Sequence, residues 1–126
     1  ALRWDPPIQC TYRRVTRDDD LEGIGVKKGD MVIPMWAGAN WDPAVFLNPE
    51  QFNIDRPMTK PHMGFGFGPH FCAGAELARI EARIAFEELL SRLGSITLDE
   101  RASDLTHLPS FASHGYQKVG LQFEAL

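Results

Sequence analysis

Only two cysteines occur in the 126 residues, Cys10 and Cys72, and no Cys-x-x-Cys pair is present, so neither a disulfide framework nor a structural zinc site is indicated. Reduced thiols in a cytoplasmic setting are expected. No apolar run approaches the roughly 18 to 20 residues that span a bilayer, and no basic segment followed by an apolar one marks a leader. No dense Lys/Arg block is present either: 13 Lys+Arg stand against 17 Asp+Glu, a formal charge of −4. That balance argues against wrapping nucleic acid or anchoring on anionic lipid. Repeats and low-complexity stretches are absent. What remains is an ordinary globular composition, 44% hydrophobic, of a length suited to about one domain. The chain also lacks an initiator Met, and Ala1-Leu2-Arg3-Trp4 reads like the last turn of a helix whose beginning is missing.

Pro6-Pro7 makes residues 5–8 an extended exit from that turn. A strand is expected within 9–16, from Thr11, Tyr12, Val15 and Thr16, stopped by an acidic turn at Asp18-Asp19-Asp20. Residues 24–26, the turn Lys27-Lys28-Gly29-Asp30 and residues 31–33 read as a hairpin, with Gly29 free to take a positive φ. From 37 to 61 the prolines and Asn/Asp residues permit only short helical turns, giving an ordered meander pinned by Trp41, Phe46 and Phe52. One long helix is expected over 75–93, ended by Gly94 at C′. It carries two apolar arcs, one through Ala78, Ala82, Ala85, Phe86, Leu89 and Leu93, the other through Leu77, Ile80 and Ile84. A helix apolar on two sides is normally sandwiched. The tail offers a short strand at 96–98, a polar loop with Pro109, and alternation at Val119, Leu121 and Phe123 that suits a strand.

Cys72 follows a glycine-rich loop and stands just ahead of the long helix, where unpaired N–H groups favour an anion such as a thiolate. The plainer alternative is a small buried hydrophobe. A phosphate loop fits poorly, because the third glycine of G-x-G-x-x-G is missing and Pro69 removes an N–H donor.

The run Phe65-Gly66-Phe67-Gly68-Pro69-His70-Phe71-Cys72-Ala73-Gly74 resembles the signature F-x-x-G-x-[H/R]-x-C-x-G of the cytochrome P-450 haem-thiolate monooxygenases. Leu77-Ala78-Arg79-Ile80-Glu81 is similar to the L-A-R-x-E that follows in soluble bacterial members. Arg3-Trp4-Asp5-Pro6-Pro7-Ile8-Gln9 resembles the exit from the family's K helix, and Ala39-Asn40-Trp41-Asp42-Pro43-Ala44-Val45-Phe46 resembles its meander. Asn48-Pro49-Glu50-Gln51-Phe52-Asn53-Ile54-Asp55-Arg56 is similar to the segment that comes next.

The resemblance implies an α+β fragment of the mainly-α P-450 fold. It would comprise short strands and a hairpin, a long meander, the cysteine loop, one long helix and C-terminal strands, with residues 1–126 as a C-terminal haem-binding portion. It implies haem b, with Cys72 as the proximal thiolate and metal ligand. Phe65, Gly66, Phe67, Ala73, Gly74 and Ala78 would surround the haem, and His70 and Arg13 would meet its propionates. Taken alone, His70 would be a surface loop histidine and Arg13 a solvated strand residue. Ile8, Gln9, Phe111, Ala112 and Ser113 would line the substrate pocket, though each also suits a packing or loop role. Electrons would come from NAD(P)H through a ferredoxin-type or flavin partner on the proximal face, near Arg79, to activate O₂ and oxidise an apolar organic substrate. Arg79 and Arg83 otherwise read as an exposed charge stripe with Glu76 and Glu87.

The pattern also departs from the family. Arg3 fills the arginine slot of its Glu-x-x-Arg pair, but the glutamate would precede Ala1. Gln51 excludes one family position for a third, structural member and leaves Arg56. A buried guanidinium without its carboxylate costs about 3 to 5 kcal/mol, so Arg3 is expected to be frayed or solvated. The family's oxygen-activating I helix has no counterpart in these residues either. The isolated chain is therefore expected to be inactive, and a non-catalytic haem-binding or interaction module stands as the alternative.

Overall fold

A computed structural model describes residues 1–57 and 61–126; the last part of the expected meander, 58–60, lies outside the described residues. The chain forms two compact units, Ala1–Gly64 with Phe111–His114, and Phe65–Ser110 with Gly115–Leu126.

In the first unit a turn closed by Asp5 N–H to Ala1 O at 3.0 Å leads into extended chain, tied down by bridges Ile8 to Ser113 and Cys10 to Met35. Four short strands follow: β1 (Arg13–Arg14), β2 (Asp19–Leu21), β3 (Ile24–Val26) and β4 (Met31–Val32). Their pairing corrects the expected hairpin. β3 pairs antiparallel with β2, and β4 pairs antiparallel with β1, so residues 24–26 and 31–32 are not partners. The strand expected over 9–16 is reduced to the Cys10 bridge and β1, and the acidic run is largely β2 rather than a turn.

Local chemistry explains both corrections. Glu22 and Gly23 both have positive φ, 52° and 91°, forming a two-residue turn whose twist suits antiparallel strands. Asp20 Oδ1 accepts the Gly23 N–H at 2.7 Å and closes it. Asp18 instead organises the next turn, accepting the Lys28 N–H at 2.9 Å and the Lys27 ammonium at 3.0 Å. Those bonds, the backbone one first, hold its carboxyl below the ordinary aspartate range. Gly29, at φ 98° as expected, donates to Val15 O while Val15 donates to Asp30 O, which sews this turn to the β1 side.

The meander begins with α1 (Trp36–Asn40). Its aromatic residues are held through Trp4, whose ring lies 5.9 Å from Trp41 and 5.7 Å from Phe52. Trp41 Nε1–H donates to Trp4 O, and Trp4 Nε1–H donates to Glu50 O. The buried centre of this unit contains Cys10, Phe46, Asn40 and, against expectation, Arg3 at 6% exposure. Arg3 is neither frayed nor solvated. Its guanidinium donates to Asn40 O and Pro49 O, each at 2.8 Å, and lies over the Phe46 ring. Backbone carbonyls satisfy a buried cation as a carboxylate would, without a partner charge. Burial and the nearby Arg56 charge lower the Arg3 pKa, and Glu50 opposes them.

The second unit carries α2 (Ala75–Arg92), followed by β5 (Leu93–Leu98), β6 (Asp104–His107), β7 (Tyr116–Lys118) and β8 (Leu121–Ala125). β5 pairs with β8 and β6 with β7, both antiparallel. Gly94 is not a left-handed cap: Leu93 is already extended and pairs with Ala125, so helix passes directly into strand. The polar loop expected before residue 119 contains the β6–β7 hairpin instead, in which the His107 and Tyr116 rings stack at 4.9 Å. Nor is α2 sandwiched. Ala75 is its buried residue, while Leu77, Ile80, Ile84, Phe86 and Leu89 of both apolar arcs are exposed.

Arg3→Ala removes the donor from two buried carbonyls and is expected to destabilise the chain by about 1–3 kcal/mol. A lowered urea midpoint at constant slope would show it, and a wild-type midpoint would contradict the assignment.

Candidate functional site

Residues 65–74 form a loop that two glycines make possible. Gly66 and Gly68 sit at φ 74° and 72°, a region unfavourable to any residue with a Cβ. Gly68, Pro69 and His70 make a single 3₁₀ turn, with Pro69 near its start and Phe71 N–H returning to Gly68 O at 2.9 Å. Cys72 N–H donates to Phe65 O at 2.9 Å and closes the loop. Ala75 N–H donates to Cys72 O and Ala78 N–H to Gly74 O, which starts α2 directly behind the cysteine.

Cys72 is exposed and its thiol is free; the buried thiol of this chain is Cys10, at 2% exposure. The small-hydrophobe alternative therefore describes Cys10 and not Cys72. A Cβ added at Gly74 would stand 3.9 Å from Cys72 Sγ, and one at Gly68 would meet nothing within 4 Å. Phe67 and Phe71 are exposed, while Phe65 is half-buried and meets Phe71 edge-on at 6.3 Å. His70, Ala73 and Ala78 are exposed. The second unit thus brings Phe65, Gly66, Phe67, His70, Cys72, Ala73, Gly74 and Ala78 into one loop and helix start. Arg13 belongs to the first unit, exposed on β1, with Nη1 donating to Tyr12 O.

The first unit brings together the residues expected to line a substrate pocket. Ile8 bridges Ser113, and Gln9 N–H donates to Ala112 O at 2.8 Å. His114 extends this contact: its N–H donates to Pro7 O, and its Nδ1 lies 2.7 Å from Asp5 Oδ1. Sequence reasoning missed that pair, because 109 positions separate its members and neither carries a local signal. The structural arginines also meet. Arg56 donates to Leu47 O, to Asn48 O and to Gln51 O, the last also accepting from Arg3. Among the described residues, Arg56 Nε is buried without a hydrogen-bond partner.

Among the described residues no group of three or more His, Cys, Asp or Glu side chains stands close enough to hold a metal ion. A metal held here through Cys72 alone would have to bring most of its ligands with it, as a porphyrin-bound iron does. An exposed thiol on an open glycine loop fits that demand. Among the described residues no helix is long and apolar enough to cross a membrane.

The model of the family described as Cytochrome P450 matches residues 1–114. Cytochrome P450 109 of Bacillus spizizenii is 46% identical over 119 residues, covering 94% of this chain and 29% of that protein. The biotin biosynthesis cytochrome P450 of Bacillus subtilis is 37% identical over 124 residues, covering 98% of this chain and 31% of that protein. Among solved structures, P450BioI in complex with hexadec-9Z-enoic acid ligated acyl carrier protein superposes with TM-score 0.87 at 36% identity, over 98% of this chain and 31% of that one. A substrate-free cytochrome P450 of Mycobacterium marinum gives TM-score 0.92 at 30% identity, over 98% of this chain and 32% of that one. The chain thus spans about a third of the length of the proteins it resembles.

Native-state treatment with iodoacetamide is expected to modify Cys72 and spare Cys10 until urea is added, as read by peptide mass spectrometry. Equal labelling of both thiols in the native chain would contradict the loop geometry.

Proposed function

The chain belongs to the cytochrome P450 family, and from that premise we propose that residues 1–126 are its haem-binding portion, with Cys72 as the proximal thiolate ligand of haem b. The exposed Cys72 thiol on its glycine loop carries this proposal. Cys72 Sγ would hold the haem iron. The open space at Gly68, and the lack of a side chain at Gly74 beside Cys72 Sγ, would let the backbone lie close to a flat macrocycle. Phe65 excludes water beside it, and Gly66, Phe67, Ala73 and Ala78 complete that face. His70 and Arg13 would each offer hydrogen-bond donors to a propionate, and Arg3 and Arg56 hold the meander as structural residues.

When bound, thiolate-ligated haem supplies activation of O₂ and insertion of one oxygen atom into an organic substrate. Ile8, Gln9, Phe111, Ala112 and Ser113 form the wall offered to an apolar substrate, and their joined backbone makes it one surface. The whole monooxygenase reaction would draw electrons from NAD(P)H through a ferredoxin-type or flavin partner. The acyl-carrier-bound fatty acid of the P450BioI complex is an example of the apolar class. A non-catalytic module is the second reading, favoured by the exposure of both apolar arcs of α2.

The reduced, CO-bound absorption spectrum of the haem-loaded chain separates them. A red-shifted Soret band that Cys72→Ser abolishes is expected. An unshifted band in the wild-type chain would overturn thiolate ligation, and failure to take up haem would favour the non-catalytic module.

A further inference from the structure

Arg79 does not simply extend into solvent from the charge stripe of α2. Its Cζ lies 4.9 Å from the centroid of the Phe65 ring, and its Nη1 pairs with the Glu76 carboxylate three residues earlier. Phe65 is the residue whose carbonyl accepts the Cys72 N–H, and its ring also meets Phe71. Gly66 and Gly68, which follow in the loop, are both in the left-handed region and carry no side chain to pack, and Gly68 has open space around it. Side-chain contacts at Phe65 then add to the backbone bonds that close the loop.

We propose that Arg79 is a positioning residue for Cys72: its guanidinium, oriented by Glu76, stacks on Phe65 and thereby holds the carbonyl that closes the cysteine loop. Arginine suits this task because a planar, delocalised cation lies flat on a ring face, whereas a lysine ammonium presents a point charge. The arrangement also links the first turns of α2 to the loop before it, fixing where the helix start stands relative to Sγ. Any consequence for haem ligation rests on the thiolate proposal above; the positioning itself does not.

Nuclear magnetic resonance on the full chain tests it without haem. The Phe65 ring current should shift the Arg79 Hδ protons upfield, and Phe65→Leu should abolish that shift. Arg79→Met should raise the exchange rate of the Cys72 amide about 2- to 5-fold, the equivalent of a partly exposed cation–π contact. Arg79→Lys should restore part of the protection. Arg83→Met, which removes the same charge from another exposed position on α2, should leave the rate at the wild-type value. Wild-type exchange in Arg79→Met, an equal rise in Arg83→Met, or no ring-current shift would overturn the proposal. Should Cys72→Ser retain the red-shifted CO band, thiolate ligation falls, while these amide rates still decide the role of Arg79.

Discussion

The hydrogen bond from Cys72 N–H to Phe65 O is the contact on which the site depends. It brings together the ends of a loop that two left-handed glycines fold back on itself, and it leaves the thiol outside, ahead of the first turn of α2. A cysteine in the same sequence but without that closure would be a flexible thiol. With it, the sulfur has a fixed approach direction and the start of α2 behind it. The exposed rings of Phe67 and Phe71 are consistent with a face made to be covered.

The loop was legible because its determinants are local. Glycine spacing, the proline and the cysteine all lie within ten residues, and the positive φ values fall on Gly66 and Gly68. The long helix was legible for the same reason, save that β5 begins where a glycine cap was expected. Strand partnership was less legible. Turn residues stand at both Glu22-Gly23 and Lys27–Asp30, and side-chain bonds from Asp20 at the first and from Asp18 and Asp30 at the second accompany the pairing observed. The Asp5–His114 contact joins positions distant in sequence, for which no local pattern exists.

Arg3 is the most instructive difference. Expected to be frayed or solvated, its guanidinium is buried, because the meander turns its carbonyls inward and supplies the acceptors. Arg56 does the same from the other side through Leu47, Asn48 and Gln51, so two like charges share a lattice of backbone oxygens. Burial, and then repulsion from Arg56, lower the Arg3 pKa, and Glu50 opposes them. The meander is thus folded around cations rather than around an apolar centre alone, which explains how a proline-rich stretch with few buried side chains is ordered.

Resonance Raman spectroscopy of haem-loaded chain, produced with natural and with heavy-sulfur cysteine, tests directly the proposed bond between Cys72 Sγ and iron. An iron–sulfur stretching band that moves to lower frequency with the heavy isotope and is absent from Cys72→Ser is expected. A haem-loaded chain with no isotope-sensitive band, or with one that survives Cys72→Ser, would contradict it.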